Sequence, residues 1–151
     1  MNDALLEVAA LEASLGVKGK DGGPFGAVIT DKKGNIICKA HNMVLSTHDV
    51  TAHAEVMAIR EACRILDTHD LSDYVLYSSC EPCPMCLSAI IWSNIKDIYY
   101  STDRVEVGNI GFRDDLIYNY LEGKCRDIIK VTRIENKECQ DLLNNYKNTI
   151  Y

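Results

Sequence analysis

Apolar residues Leu5, Val8, Leu11 and Leu15 recur at helical intervals along the opening stretch MNDALLEVAALEASLGV, which predicts a helix over residues 3–16 with Gly16 as its stop. VKGKDGG then reads as a flexible loop, and PFGAVITDKKGNIICKAHN as two β-rich runs joined by a turn around Asp31 to Asn35, a hairpin. MVLSTHDVT shows no period and reads as irregular. From Ala54 to Leu66 two apolar stripes run along one helix, Val56, Ile59, Cys63 and Leu66 beside Met57, Ala58, Ala62 and Ile65. A helix apolar over so much of its circumference packs deeply. YVLYSS (74–79) is a short strand, Pro82 and Pro84 break the chain, MCLSAIIWS forms a second buried helix and IKDIYYS (95–101) another strand. Further helical turns are expected from Asp103 to Gly108 and Leu116 to Leu121, a last strand at DIIKVTRI and a polar closing helix from Glu135 to Lys147.

Strands alternating with helices imply an α/β protein, a three-layer α/β/α sandwich around a mixed sheet. Right-handed crossovers place the helices starting near Ala54 and Pro84 side by side on one sheet face, with their N-termini together. HAE and CPMC then become neighbours, although about thirty residues separate them. A chain of 151 residues fits one domain spanning 1–151. The net charge of −6 argues against a broad grip on nucleic acid. No apolar run is long enough to span a membrane, and the N-terminus has no basic flank of the kind a signal peptide carries. Seven cysteines, an odd number, in a chain of this length speak against a secreted disulfide scaffold and for a reducing cytoplasm. Cys38, Cys63, Cys125 and Cys139 are scattered and read as buried or idle thiols.

Cys80, Cys83 and Cys86 are clustered in SSCEPCPMC. Cys83 and Cys86 are three positions apart and share a helix face; Pro84 suits the first helical position. The positive end of the helix dipole favours thiolates there, and two thiolates attract a cation. Zinc accepts sulfur and imidazole, and enzymes often supply three protein ligands. His53, just ahead of the other buried helix, is the best third ligand, and Glu55 can approach a water at the metal without ligating it. Two other readings stay open: a redox CxxC pair, and a closed structural zinc site with Cys80 as fourth ligand. His41, His48 and His69 stay unassigned. The combination His53-Ala54-Glu55 with Pro82-Cys83-Pro84-Met85-Cys86 matches H-x-E…P-C-x-x-C, the signature of zinc deaminases acting on bases.

With GGPFGAVI, AHN, TAHAEVMAIREAC, LYSSCEPCPMCLSAIIW and GFRDDLIY, the chain resembles the cytidine-deaminase-like superfamily, and within it the short bacterial-type guanine deaminases. The likeness runs to about Tyr120 and more loosely beyond. It implies zinc held by His53, Cys83 and Cys86, with Glu55 moving protons in a hydrolytic deamination of a small nucleobase, guanine to xanthine. It further implies Asn42, Ala54, Phe25, Trp92 and Asp114 as substrate contacts. It also implies a homodimer in which the segment from about 125 to 151 swaps onto the partner and Tyr151 covers the pocket. Arg113 stands where related proteins often carry an acid, and the tail is poorer in aromatics than such tails tend to be. The alternatives are a tRNA adenosine deaminase and a cytosine, nucleoside or other aminated-heterocycle deaminase. A zinc site that only holds the fold together is a fourth.

Overall fold

A computed structural model describes residues 2–151. Helix α1 (Asn2–Lys18) leads into the hairpin β1 (Gly26–Asp31) and β2 (Ile36–His41). The one-turn helix α2 (Val44–Thr47), helix α3 (Ala54–Leu66) and strand β3 (Tyr74–Cys80) follow, then α4 (Pro84–Trp92) and β4 (Asp97–Thr102). Helices α5 (Arg104–Asn109) and α6 (Asp114–Leu121), a 3-10 turn at Arg126–Ile128 and α7 (Lys137–Asn145) complete the chain.

The sheet has the order β2-β1-β3-β4, with β1 antiparallel to both β2 and β3, and β4 parallel to β3. Strands β2 and β3 therefore point the same way, and α3 and α4 are each the crossover of a parallel β-α-β unit. Helix α1 packs on β1, β2 and β3, while α3 contacts the same strands and α4. The strand β1 is the middle of the sandwich: Ala27 and Ile29 join Ala54, Ala58, Ala62, Leu76 and Ile90 in one core, and Val28 joins Leu5, Ala9 and Tyr77 in the other. Alternation of side chains along a strand produces this split, and burial of both faces explains why Ala27, Val28 and Ile29 are apolar without a break. The hairpin turn is held by Asp31, whose Oδ1 accepts from the backbone N–H of Lys33 at 2.8 Å and Asn35 at 2.9 Å, with Gly34 at φ 89°. Asp103 caps α5 by accepting from Val105 and Glu106 N–H, both at 3.0 Å, and Glu106 returns a bond to Asp103 N–H.

Three expectations need correcting. Gly16 does not end the first helix, which continues to Lys18; the glycine instead makes room for the His41 ring. MVLSTHDVT contains the turn of helix α2. DIIKVTRI is not a strand: it holds the 3-10 turn and then irregular, exposed chain. Its β-branched residues have the right composition, but a strand needs a neighbour to pair with, and none of the sheet pairings involves it. From Leu121 onward every residue is exposed except the half-buried Asp141. No described helix is long and apolar enough to cross a membrane.

The closest approach between layers is at Gly26, where an added Cβ would fall 1.9 Å from the Ala9 carbonyl oxygen and 2.8 Å from the Ala13 nitrogen. Gly26→Ala must push α1 off the sheet, so we expect a loss of about 3 kcal/mol, the upper part of the overpacking range. For a chain of this length that lowers Tm by roughly 6–12 °C in a thermal melt.

Candidate active site

His53 and Cys83 are the N-cap residues of α3 and α4, both in extended conformation, and Cys86 lies in the first turn of α4. The crossover geometry brings these two helix starts together at the carboxyl ends of β2 and β3, where open α/β sheets form their clefts. His53 Nδ1 lies 3.5 Å from Cys83 Sγ and 3.4 Å from Cys86 Sγ, and all three donor atoms fall within 4.8 Å of one another. A tetrahedral zinc with Zn–N near 2.0 Å and Zn–S near 2.3 Å separates nitrogen from sulfur by about 3.5 Å. The donor set therefore fits zinc without rearrangement.

Cys83 is held well below the usual thiol range, first by the hydrogen bond from Cys86 and then by His53, while Cys86 is pushed up because it is the donor and is buried near Glu55. Hydrogen bonding to Cys83 raises the His53 pKa despite burial. Cys80 does not join this group. Its Sγ accepts from Thr102 Oγ1 at 2.8 Å, and burial pushes its thiol pKa up.

Glu55, in the first turn of α3, is buried and points at the same place. Burial raises its carboxyl pKa, against which Ser78 Oγ donates to Oε1 at 2.9 Å. The first-turn position also puts the carboxylate in the positive end of the helix dipole. Burial and the Ser78 bond thus act in opposite directions on one carboxyl group beside the three donors.

These groups open onto a cavity of about 530 Å³, of the size that takes a small molecule. Asn42, Phe25 and Asp114 line it with His53, Glu55 and Cys83. Asn42 is buried; its Oδ1 accepts from Val44 N–H at 3.0 Å, which leaves its amide N–H donors for a ligand. Burial, and then the charge on Cys83, raises the Asp114 pKa. Helix α6, which carries Asp114, is tied to the metal loop by Tyr118, whose hydroxyl donates to Pro82 O at 3.3 Å under the Arg104 guanidinium. Ala54 is fully buried behind His53 and does not line the cavity. Trp92 and Tyr151 are not brought to it either: Trp92 is exposed at the far end of α4, and its ring and that of Tyr151 lie 6.0 Å apart.

Reading the residues alone missed Ser78 and Phe112. Ser78 is a buried polar residue in a strand, and that placement was its only signal. Phe112 packs edge-on against Phe25 with centroids 4.8 Å apart and forms a wall of the cavity. Its position inside GFRDD did not reveal a partner 87 positions away in sequence, the difference between 112 and 25.

Paired crossover helices that present two thiols, an imidazole and a buried carboxylate to one small-molecule cavity define a metal-dependent hydrolytic enzyme. Residues 1–102 match the family model described as the cytidine and deoxycytidylate deaminase zinc-binding region, and the chain belongs to that family. It is 46% identical to guanine deaminase of Bacillus subtilis over 121 residues, 80% of this chain and 77% of that one. The crystal structure of guanine deaminase from Bacillus subtilis superposes with a TM-score of 0.89 over 99% of this chain and 97% of that one, at 38% identity. The tRNA-specific adenosine deaminase of Aquifex aeolicus is 47% identical over 96 residues, 64% of this chain and 62% of that one. The chain is thus a zinc-binding deaminase and a guanine deaminase homologue.

Ser78→Ala removes the bond to Glu55 while leaving the three metal donors in place. Losing a hydrogen bond to a charged group costs about 1.5–3 kcal/mol, so turnover should fall roughly 10–100-fold. Zinc content measured by plasma mass spectrometry should stay at one per chain in that variant, and fall sharply in His53→Ala.

Proposed function

We propose that the chain hydrolyses the 2-amino group of free guanine, giving xanthine and ammonia. The observation that carries this is the meeting of Glu55, His53 and Cys83 with Asn42 and Asp114 in one cavity, with Cys86 buried beside His53 and Cys83. His53, Cys83 and Cys86 would hold zinc, which when bound makes water acidic enough to attack near neutral pH. Glu55 takes a proton from the attacking water and hands it to a ring nitrogen of guanine. It then carries the second proton to the amine, which leaves as ammonia while the ring keeps the oxygen at C2. Asn42 donates to the base, Asp114 accepts from a ring N–H, and Phe25 with Phe112 supplies an apolar wall. The strong likeness to guanine deaminase of Bacillus subtilis over most of both chains supports the choice of base.

Adenosine in tRNA is the second reading, because tRNA-specific adenosine deaminases are also relatives. The net charge of −6 weighs against it, since RNA binding draws on clustered positive charge. Ammonia release from guanine, cytosine, adenosine and tRNA, assayed on zinc-replete protein, separates these readings; guanine left untouched while tRNA is turned over overturns ours. Glu55→Gln should keep zinc and stability and lose about 10²–10⁴ in turnover, whereas a purely structural zinc site predicts no deamination by either form.

We further infer that residues from about 125 to 151 pack on a second copy of the chain. Leu142 and Leu143 of α7 are about three-quarters exposed, as are Val131 and Ile150, and Leu45, Val50 and Phe112 lie exposed around the cavity. A helix this short and this bare is not stable on its own. Tyr151 sits against Trp92 at the C-terminal end of α4, about 9 Å of helix from Cys86 and about 13 Å from Cys83, so a cavity covered by this residue would belong to another copy. Co-expression of Tyr151→Ala with Glu55→Gln tests this. Each variant alone is impaired, and a hybrid dimer regains one fully covered, fully equipped site. No recovery above the sum of the two separate variants overturns the exchange.

A further inference from the structure

His41 ends β2, one residue before Asn42, and takes no part in the chemistry above. Its ring lies on the backbone of α1, where a Cβ on Gly16 would come 2.7 Å from Cδ2. Nδ1 is 3.2 Å from Glu12 Oε2 on α1, and Nε2 is 2.8 Å from Asp21 Oδ2 in the loop before β1. Glu12 and Asp21 are mostly covered. Asp21 is a loop anchor as well: its N–H donates to Gly16 O at 2.9 Å, and its carbonyl accepts from Leu45 N–H at 2.9 Å and Ser46 N–H at 3.0 Å. The next residues, Gly22 and Gly23, form a wall of the cavity. Gly22 packs so closely on Asn42 that a Cβ there would meet Asn42 Oδ1 at 2.1 Å, and Asn42 N–H donates to Phe25 O at 3.0 Å. The histidine, its two carboxylates, the glycine wall and the base-reading amide are thus one connected unit.

A neutral imidazole has one N–H and satisfies one carboxylate; only the imidazolium donates to both. We propose that His41, as an imidazolium bridging Glu12 and Asp21, is a positioning residue that holds the Gly22–Gly23 wall against Asn42, so that base binding weakens when His41 loses its proton. This rests on the reading that the cavity takes a free base. Burial pulls the His41 pKa down, but the bonds to Asp21 and Glu12 outweigh it and leave it above its ordinary value, so the bridge persists to higher pH than a free imidazole would and is lost as pH rises. Among the other charges around the ring, Lys39 faces one of the two carboxylates. Lys39 Nζ is 3.9 Å from Glu12 Oε1, while Arg60 and Arg64 of α3, across the same groove, are paired with Asp49 and Glu61.

The test follows His41 by NMR and guanine turnover against pH on the zinc-loaded enzyme. The expected result is a His41 pKa above 6.5, amide shifts of Gly22 and Gly23 that titrate with it, and a KM that rises about 3–10-fold through the same pH while kcat follows its own profile. His41→Gln should show a high KM with that rise absent. Asp21→Asn keeps the ring and removes one carboxylate, so the His41 pKa and the KM rise should both move to lower pH; it serves as the test if His41→Gln does not fold. Glycine amides that ignore the His41 titration overturn the proposal, and this arm needs no substrate. Turnover with identical KM profiles in the wild type and His41→Gln also overturns it. No turnover of guanine, with the glycines still following His41, overturns the assigned substrate and leaves the bridge standing.

Discussion

Two helix starts held side by side are the constraint on which this molecule depends. Helices α3 and α4 each connect parallel strands of one sheet, and the right-handed rule puts both on the same face, beginning at the same edge. Their N-caps are His53 and Cys83. Each helix end brings a partial positive charge and unpaired N–H groups to the spot where thiolates and a carboxylate must sit. Small residues along α3 and its partners, Ala54, Ala58 and Ala62, all fully buried, allow the close approach. Neither motif is a site alone; the crossover makes them one.

The same arrangement meets the cost of burying Glu55. An isolated carboxylate inside a core is strongly unfavourable and would simply protonate. Here the helix start and the Ser78 hydroxyl offset the loss of water, and a metal cation held by the neighbouring donors would add to them. Glu55, to which we assign the proton transfers, is thereby set in the packed core. The loops that line the cavity are held differently. The Gly22–Gly23 wall is fixed by a bridge of charged groups at the surface of α1, and α6 by an aromatic hydroxyl on the Pro82 carbonyl. The donor groups rest on packing, and the cavity walls on polar ties.

The tail shows what the sheet alone does not supply. Residues beyond Leu121 are almost entirely exposed, with isoleucines, leucines and tyrosines among them. Apolar side chains in that density are out of keeping with a solvated surface. The open rim of the cavity carries the same kind of unpartnered surface, which is the physical basis for placing the tail on a second copy.

Much of this was written in the local pattern. The period of the Ala54–Leu66 stripes, the Pro82 and Pro84 breaks and the turn residues at Asp31–Asn35 determined the elements, because each depends on near neighbours. The spacing of Cys83 and Cys86 and the offset of Glu55 from His53 determined which groups share a helix face. Distances across the fold are another matter. That Ser78 reaches Glu55, that Phe112 meets Phe25 and that His41 joins Glu12 to Asp21 follow from strand register and layer packing, which no short window contains. DIIKVTRI has the composition of a strand and is not one here, since a strand is decided by its partner. The chain by itself marked out the candidate metal donors; only the tertiary structure decided what surrounds them, because contacts between distant segments exist only once the sheet has set their separation.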